Sequence, residues 1–343
     1  MSVFRPTPRA AADAGEIMVT SHLKPAEARK PIGAKHERPC PICGSAGAEN
    51  WLRAPDRFHG RRELFQLLRC WSCSLVWLKD PPAPAEMSFH YGSDYDRLIA
   101  SAGESSPERW HGRQGTLLRY KTGGALLDLG CSSGSFLETL MGPSWKLHGI
   151  EMSEVAAKKA QAKTGAQIFI GDILEAPYPA ATFDAITCFD VLEHVYEPQK
   201  VMAKVQEWLK PDGIFYVLVP NIDSAEARLF GTYWYGLELP RHISHFSPAC
   251  LRRVAMSVGL EEVDLQTHRN SALGYSVRYI DDEVLHRLGI SRKPLAIAKS
   301  PSIPWRVFRK LFRVSIEPVL LKLSSLLGPG ESIHAVFRKR AHG

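Results

Sequence analysis

The stretch Leu126-Leu127-Asp128-Leu129-Gly130-Cys131-Ser132-Ser133-Gly134 joins a short apolar run to a loop of small residues. An apolar run of this length is typical of a buried parallel strand, and the small residues lead from it into a helix. Asp128 lies two positions before the first glycine, whereas a phosphate-binding loop would place glycines and a lysine where the helix begins. The pattern therefore predicts a small charged ligand that carries hydroxyl and ammonium groups.

Short apolar runs alternate with helical stretches from about Ala125 onward, which predicts a doubly wound α/β domain. One predicted helix covers 153–163, with Ser153 as its N-cap and Gly165 as its stop, and another begins at Pro198. Two further strands near the C-terminus complete a Rossmann-like, seven-stranded sheet. The predicted strands are 125–129, 146–151, 167–171, 185–189, 214–219, 260–266 and 332–338.

Acidic residues end or follow the first three predicted strands, at Asp128, Glu151 and Asp172. The carboxyl ends of parallel strands meet at one edge of a sheet, so these side chains are expected to line a common crevice. Glu151 can accept hydrogen bonds from two ribose hydroxyls, and Asp172 with Ile173 can meet an adenine ring. With an ammonium group near Asp128, this combination favours S-adenosylmethionine as the ligand.

Five segments, in order along the chain, resemble the motifs of class I S-adenosylmethionine-dependent methyltransferases: LLDLGCSSG, GIEMS, GDI, FDAITCFDVLEHV and LKPDG. The resemblance covers about 125–219 and implies transfer of a methyl group. Ser132 departs from it, since many members have a second glycine there. A nicotinamide-binding domain is the alternative, but its G-x-G-x-x-G motif is absent. The cofactor-binding residues are expected to be Asp128, Gly130, Cys131, Ser132, Gly134, Glu151, Met152, Asp172, Ile173, Phe189 and Asp190.

Two Cys-x-x-Cys pairs, Cys40 with Cys43 and Cys70 with Cys73, are separated by 26 residues. Four thiolates at this spacing can close a tetrahedral zinc site, and a module this small needs such a site to fold. Two redox pairs, or cysteines without a role, are the alternative. Because four protein ligands leave no open coordination position, the predicted zinc ribbon over 39–80 is structural or faces the substrate.

Three histidines are candidate catalytic residues. His194 follows the fourth strand directly, and packing at a helix start is its alternative role. His242 and His245 follow the fifth strand, beyond the aromatic run Tyr233-Trp234-Tyr235, which can form a wall for the methyl acceptor. Their segment resembles the His-x-x-x-Phe-Ser neighbourhood of sugar C-methyltransferases, except that Arg241 replaces an acidic neighbour. We therefore expect His242 to be the general base for a hydroxyl acceptor.

The net charge of the 343-residue chain is +7, and it is unevenly distributed. Eleven Lys and Arg residues against two acids lie in 291–343, so the positive charge belongs to the C-terminal part. Residues 304–327 are predicted to form a basic amphipathic helix within a helical insertion at about 270–328. Such a helix is suited to an anionic membrane surface, or to packing on the domain or in a dimer.

The remaining segments complete the predicted domain organisation. Residues 1–38 are expected to be a mobile tail, 81–124 a linker with leading helices, and 125–343 the methyltransferase domain. The N-terminus has no apolar run of the kind that a signal peptide needs. A cytoplasmic location, with peripheral contact to a membrane, is therefore the expectation.

The predicted zinc ribbon, the aromatic loop and the basic helix together favour an enzyme that O-methylates a sugar, for example on a lipid-linked glycan. Similar ribbons precede the catalytic domain in methyltransferases that act on sugars and in some that act on ribosomal RNA. An RNA methyltransferase is thus one alternative, although the ribbon is only mildly basic and an N-P-P-Y motif is absent. A small-molecule or lipid acceptor is another, as is a scaffold that binds the cofactor without turnover.

Overall fold

The computed structural model describes residues 38–91, 107–269, 273–290 and 328–340, together with 310, 311, 319 and 322. The strands are β1 (Ala48–Pro55), β2 (Leu64–Cys70), β3 (Val76–Leu78), β4 (Gly124–Leu129), β5 (Trp145–Glu151), β6 (Gln167–Ile170), β7 (Phe183–Phe189), β8 (Leu209–Pro220), β9 (Ser244–His245), β10 (Leu260–His268) and β11 (Ser332–Lys339). The helices are α1 (Pro107–Leu118), α2 (Ser135–Glu138), α3 (Glu154–Thr164), α4 (Pro198–Trp208), α5 (Ala225–Phe230), α6 (Pro248–Ser257) and α7 (Leu273–Arg287). A further helical stretch covers 84–91.

Seven strands form the main sheet, in the spatial order β10-β11-β8-β7-β4-β5-β6. The pairs β8-β7, β7-β4, β4-β5 and β5-β6 are parallel, whereas β11 is antiparallel to both of its neighbours. This confirms the predicted Rossmann-like, doubly wound, seven-stranded sheet. Because β4 pairs with β5 on one side and β7 on the other, the chain reverses its winding here, and a ligand crevice forms at such a point.

The central strands and their helices follow the patterns that predicted them. Three leucines of β4 are fully buried, as a parallel strand covered on both faces requires. Ser153 caps α3 by accepting a hydrogen bond from the amide of Ala156, and Gly165 ends that helix with φ +69°. Pro198 begins α4, whose apolar face is buried against the sheet. The expected start signals of both helices, and the stop signal of α3, are confirmed.

A second, smaller sheet carries the Cys-x-x-Cys pairs, in the order β1-β2-β3-β9. Its first three strands are consecutive in the chain, but β9 comes from beyond β8 and pairs with β3 through Val76 with His245 and Trp77 with Ser244. The cysteine-bearing strands are thus joined by backbone hydrogen bonds to the segment of the candidate histidines. All described residues belong to one compact unit, Gly33–Gly343.

Several expectations fall on residues that the structure does not describe. The predicted tail lies outside the described residues except for Arg38, and so does most of the predicted insertion beyond α7. Of the predicted basic helix over 304–327, only residues 310, 311, 319 and 322 are described, and these are helical. Within the described part of the chain, every helix is too short or too polar to cross a membrane.

Candidate cofactor and acceptor site

The loop after β4 has a backbone that only small residues can form. Gly130 has φ +67°, and a Cβ atom there would lie 2.4 Å from Val191 Cγ2, in the segment after β7. Gly134 has φ +78° and a Cβ atom there would lie 3.0 Å from Ala160 of α3. Ser132 also has a positive φ, +47°, at the position where the resembling family commonly has glycine. The loop therefore packs closely against two neighbouring elements.

Glu151 ends β5 and links two loops through its carboxylate. Its Oε2 accepts a hydrogen bond of 2.9 Å from the amide of Ser132, and its Oε1 accepts one of 2.8 Å from the amide of Ser153. These contacts fix the plane of the carboxylate. Each oxygen keeps a further lone pair, so the carboxylate can still accept hydrogen bonds from a pair of hydroxyls.

Asp128 lies near the end of β4 with only 4% of its surface exposed. Thr187 Oγ1, on β7, donates a 2.7 Å hydrogen bond to Asp128 Oδ1. Burial raises the pKa of Asp128 to about 7, although the hydrogen bond from Thr187 opposes the rise. A carboxyl group with this pKa loses its proton readily when a cation approaches.

Asp172 and Ile173 follow β6. The carboxylate of Asp172 accepts a 2.7 Å hydrogen bond from the amide of Leu174 and so caps a short turn over Ile173–Glu175. Ile173 is buried, whereas Met152, which follows β5, is 74% exposed. Met152 thus offers exposed apolar surface beside Glu151, as an adenine ring requires, whereas Ile173 packs in the core.

Asp190 follows β7 and is paired with two arginines that the sequence reasoning missed. Arg109 and Arg113 of α1 donate hydrogen bonds of 2.9 and 3.0 Å to Asp190 Oδ2. Burial favours a higher pKa for Asp190, but Arg113 and Arg109 outweigh it and hold the pKa below its usual value. The guanidinium of Arg113 also lies over the ring of Phe189, 4.7 Å from its centroid. The sequence signal that could have indicated these partners is the pair of arginines, one helical turn apart, before β4.

The cofactor residues predicted from the sequence therefore lie at the carboxyl ends of neighbouring parallel strands, which form one edge of the sheet. Cys131 is buried in the glycine loop, and Phe189 packs edge-on against Phe136 at 4.9 Å. Arg109 and Arg113 extend the set with positive charge. The arrangement combines an acceptor for hydroxyls, a buried acid and two guanidinium groups that can face a carboxylate.

Two of the three candidate histidines lie in contact. The rings of His194 and His242 are 4.6 Å apart between centroids and nearly perpendicular. The hydroxyl of Tyr91, from the helical stretch over 84–91, is 3.0 Å from His194 Nδ1. Glu193 joins the cluster. A carboxylate oxygen of Glu193, a ring nitrogen of His194 and a ring nitrogen of His242 all lie within 4.8 Å of one another. Tyr91 and Glu193 were not predicted.

The ring of His242 is oriented by two neighbouring groups. Its Nδ1 is 2.9 Å from the carbonyl oxygen of Gly236, and its Nε2 is 3.7 Å from Glu238 Oε2. Burial, reinforced by His194 and His245, lowers the pKa of His242 well below its usual value. His242 is therefore neutral at physiological pH, and with Nδ1–H facing a carbonyl its Nε2 carries the free lone pair.

His245 is farther from the cluster, with its ring centroid 6.1 Å from that of His242. It is part of β9, and its Nε2 lies 3.1 Å from the carbonyl oxygen of Leu237. Burial lowers its pKa to about 4. The described contact of its ring nitrogen is therefore to the backbone.

Of the run Tyr233-Trp234-Tyr235, Trp234 is buried in the core, the guanidinium of Arg57 lies over the ring of Tyr233, and Tyr235 is part of an aromatic cluster. The ring of Tyr235 stacks on Tyr275 with a centroid distance of 4.8 Å and an interplanar angle of 27°. Tyr279 follows one turn later, 6.0 Å from Tyr235. The two partners belong to α7, which the sequence indicated only as part of an insertion.

The four cysteines of the small sheet converge on one point, with all four Sγ atoms within 4.8 Å of one another. The pairs Cys40–Cys73 and Cys43–Cys70 are each separated by 3.5 Å. Zinc–sulfur bonds of about 2.3 Å in a tetrahedron place the sulfurs about 3.8 Å apart, so the thiols present fit a zinc ion.

Both cysteine pairs belong to the same kind of turn. The amide of Gly44 donates to the carbonyl oxygen of Cys40 at 2.9 Å, and the amide of Ser74 donates to that of Cys70 at 3.0 Å. Gly44 and Ser74 both have positive φ, +67° and +61°. Each Cys-x-x-Cys pair therefore lies within a turn of the same kind, and the two turns direct the four thiols toward a common centre.

Known proteins share sequence similarity with this chain. A family model described as a methyltransferase domain matches residues 107–265. A ubiquinone biosynthesis O-methyltransferase from Thiobacillus denitrificans is 32% identical over 155 residues, which cover 42% of this chain and 67% of that protein. A demethylmenaquinone methyltransferase from Symbiobacterium thermophilum is 22% identical over 174 residues, which cover 45% of this chain and 68% of that protein.

A solved structure shares the fold. Phosphoethanolamine N-methyltransferase 2 from Haemonchus contortus, in complex with S-adenosyl-L-methionine, aligns with a TM-score of 0.51 and 16% identity over 78% of this chain and 62% of that chain. The sheet order, the glycine loop and the sequence relatives therefore lead to one conclusion. The chain belongs to the class I S-adenosylmethionine-dependent methyltransferases.

Proposed function

We propose that the protein transfers the methyl group of S-adenosylmethionine to a hydroxyl oxygen of a small-molecule acceptor, with His242 as the general base. The observation that carries this proposal is the environment of His242. Its Nδ1 faces a carbonyl oxygen, its Nε2 lies 3.7 Å from Glu238 Oε2, and its ring contacts that of His194, which follows β7. A neutral, oriented imidazole beside the cofactor edge is suited to accept a hydroxyl proton.

Bound S-adenosylmethionine supplies a methyl carbon activated by a sulfonium, so an in-line displacement forms a carbon–oxygen bond and breaks a carbon–sulfur bond. In the proposed reaction the hydroxyl proton passes to His242 Nε2, and the sulfur becomes a neutral thioether. Glu238 Oε2, at 3.7 Å, stabilises the imidazolium as it forms. Alignment of the two reactants can contribute about 7 to 11 kcal/mol to lowering the barrier.

Cofactor binding is assigned to the strand-end residues. Glu151 accepts the ribose hydroxyls, Asp128 provides negative charge toward the ammonium group, and the turn at Asp172 contacts the adenine. Arg109 and Arg113 lie where they can neutralise a carboxylate, since Asp190 engages only part of their donor capacity. Each assignment follows from the chemistry of the side chain and its place at the carboxyl edge of the sheet.

The acceptor that we favour is a phenolic hydroxyl on a planar ring. Tyr235 stacks on Tyr275, and Tyr279 lies tilted beside Tyr235 at 6.0 Å, so the three rings form an aromatic cluster, and aromatic rings suit contact with a planar ring. The named relatives, a ubiquinone biosynthesis O-methyltransferase and a demethylmenaquinone methyltransferase, point to the same quinone-type class of molecule.

A sugar hydroxyl, the acceptor favoured from the sequence, is the second candidate. The observation in its favour is the carboxylate of Glu238 near His242. The sequence resemblance to sugar C-methyltransferases calls for an acid beside this histidine, and Arg241 occupies the adjacent position. Glu238, four residues before His242, supplies an acid in space.

We also propose that the four cysteines bind one structural zinc ion. Four thiolates saturate the coordination of zinc, so the ion holds the two cysteine turns together and takes no part in methyl transfer. The convergence of the four Sγ atoms within 4.8 Å of one another supports this zinc site. The expected role of the metal is to stabilise the sheet to which β9 belongs.

The test uses methyl-labelled S-adenosylmethionine with cell extract, followed by separation of quinone lipids, glycans, RNA and small polar molecules. Label in a phenolic quinone precursor supports the favoured acceptor, label in glycan supports the second candidate, and label in RNA contradicts both. His242→Ala should reduce transfer at least about 100-fold with unchanged cofactor affinity. His286→Ala, at an exposed position of α7, is the matched control and should retain activity. Full activity of His242→Ala would exclude it as the base.

A further inference from the structure

Asp56 lies just after β1, in the connection to β2, and its side chain is fully buried. Its Oδ1 accepts a 3.1 Å hydrogen bond from the amide of His59, and its Oδ2 is 2.9 Å from His59 Nδ1. A buried carboxylate is costly unless charged or polar groups surround it. The small sheet therefore holds an acidic group in its interior, away from the cysteines at its other turns.

Arg61 Nη1 lies 3.8 Å from Asp56 Oδ2, and a further cation that faces Asp56, Arg241, comes from the segment before β9. Arg241 is fully buried as well, and its Nη1 lies 3.6 Å from Asp56 Oδ1. The same nitrogen donates a 3.1 Å hydrogen bond to the carbonyl oxygen of His90, and the guanidinium lies 4.7 Å from the ring centroid of Phe58. Arg241 is thus held by residues that precede the main sheet in the chain.

The other side of the same guanidinium faces the acceptor site. Arg241 Nε donates a 3.2 Å hydrogen bond to Glu238 Oε1, while Glu238 Oε2 lies 3.7 Å from His242 Nε2. Glu238 is mostly buried and has a positive φ of +35°, a conformation that its surroundings must maintain. One buried guanidinium therefore lies between a carboxylate of the small sheet and the carboxylate beside the proposed base.

We infer that Asp56 is a positioning residue for His242, acting through Arg241 and Glu238. This inference rests on the proposed function, in which His242 accepts the proton. Asp56 balances the charge of Arg241 from one side, so that Glu238 can keep one oxygen on Arg241 and direct the other toward His242 Nε2. Without Asp56, Glu238 is the carboxylate that remains beside the guanidinium among the contacts described, and the guanidinium draws it away from the imidazole.

The cysteine-bearing module has, on this inference, a second role. Its thiols hold the fold of the small sheet, and its Asp56 sets the geometry of the acceptor side. The module is then part of the catalytic arrangement of a methyltransferase whose predicted cofactor residues lie at one edge of the main sheet. This explains why the proposed base can function with Arg241 in the adjacent position.

The first arm of the test observes His242 directly and requires no acceptor. Full-length protein with ¹³C-labelled histidine is studied by NMR, and the His242 ring signal is assigned with His242→Gln. Asp56→Asn and Glu238→Gln should both move this signal, and the double variant should resemble Glu238→Gln alone. Asp184→Asn is the matched control, because Asp184 pairs with Lys210 at 2.7 Å and accepts from the amide of Ala125.

The second arm measures label transfer from S-adenosylmethionine to the accepting fraction of cell extract. Asp56→Asn should slow transfer about 10-fold without changing cofactor affinity or zinc content, and in the Glu238→Gln background it should add little further loss. Such non-additivity is what an effect through Glu238 requires, and a general loss of structure would not produce it.

Two outcomes would overturn the inference. One is an unmoved His242 signal in Asp56→Asn, and the other is fully additive rate losses in the double variant. If Asp56→Asn does not fold, Glu238→Gln with an unmoved His242 signal also overturns it. Absence of label transfer by the natural sequence contradicts the proposed function. The NMR experiment needs no acceptor, so it still tests whether Asp56 positions His242 through Arg241 and Glu238.

Discussion

The backbone amide of Ser132 donates a 2.9 Å hydrogen bond to the carboxylate of Glu151, which joins the loop after β4 to the end of β5. The two residues are 19 positions apart in the chain. One side chain therefore holds the backbone of the glycine loop and, through the amide of Ser153, the start of α3.

Replacement of Glu151 by Gln should weaken S-adenosylmethionine binding by about 10- to 100-fold. The amide has one acceptor oxygen and no charge, so it cannot accept from both loop amides and both ribose hydroxyls, and charged hydrogen bonds contribute about 1.5 to 3 kcal/mol each. Isothermal titration calorimetry measures the effect. Glu154→Gln is the control, because Glu154 is exposed and pairs only with Lys158 among the contacts described. Equal affinities of the two variants would exclude Glu151 from the ribose site.

Ser132→Gly should stabilise the protein, by up to about 1 kcal/mol in the free energy of unfolding. Ser132 has φ +47°, a conformation that costs a non-glycine residue more than it costs glycine. Ser133→Gly, one position later and without a positive φ, should instead destabilise by about 0.5 to 1 kcal/mol. Chemical denaturation of both variants measures the difference. A destabilised Ser132→Gly would mean that the serine hydroxyl has a role that its backbone conformation does not reveal.

The contribution of Asp128 to the free energy of unfolding, measured without cofactor, should fall as the pH rises from about 4 to about 7. Its pKa is about 7 in the folded state because of burial, against about 3.9 in an unfolded chain. In that range the folded state keeps a proton that the unfolded state has released, so stability decreases with rising pH and then levels off. Denaturation of the natural sequence and of Asp128→Asn across this range measures the contribution. The variant should show a weaker pH dependence.

The raised pKa of Asp128 also predicts that cofactor affinity increases with pH, whereas stability decreases. A cationic ligand favours the ionised form of Asp128, so S-adenosylmethionine should bind more tightly as the pH rises through about 7. Calorimetry at several pH values would show this, with proton release on binding at neutral pH. An affinity that is independent of pH in the natural sequence would mean that Asp128 does not face the ammonium group.

Cys43→Ser should release the metal and destabilise the small sheet. Removing one of four thiolate ligands weakens zinc binding strongly, and the binding free energy of a structural zinc ion contributes directly to folding. Metal analysis by mass spectrometry, together with the melting temperature, tests this. Ser72→Ala, in the turn of the other cysteine pair, is the control and should keep one zinc ion per chain. A metal-free natural protein with an unchanged melting temperature in Cys43→Ser would contradict the zinc assignment.

The main sheet was predictable because its signals are local. Apolar runs such as Leu126 to Leu129 are buried on both faces of a parallel sheet, and Ser153, Gly165 and Pro198 mark helix ends through their own backbone chemistry. The acidic strand ends were predictable for a related reason. The carboxyl ends of parallel strands meet at one edge, so strand order places Asp128, Glu151 and Asp172 together without knowledge of any side-chain contact.

The acceptor side was less predictable because it is assembled across the chain. The sequence indicated His194 and His242, but it could not show that Tyr91 contacts one and Glu238 the other. Nor could it show that α7 stacks Tyr275 on Tyr235. These pairs are far apart or lie in irregular segments, where no periodicity reports which side chains meet.

By itself, the sequence determined the class of the fold, the cofactor edge and the clustering of the four cysteines, since each follows from local pattern or spacing. Only the tertiary structure decided how the small sheet is used. Pairing of β9 with β3 brings Asp56 to Arg241 across 185 positions of the chain, and both groups are buried. Buried charges must find partners wherever the packed chain supplies them, and that requirement has no signature in the linear sequence.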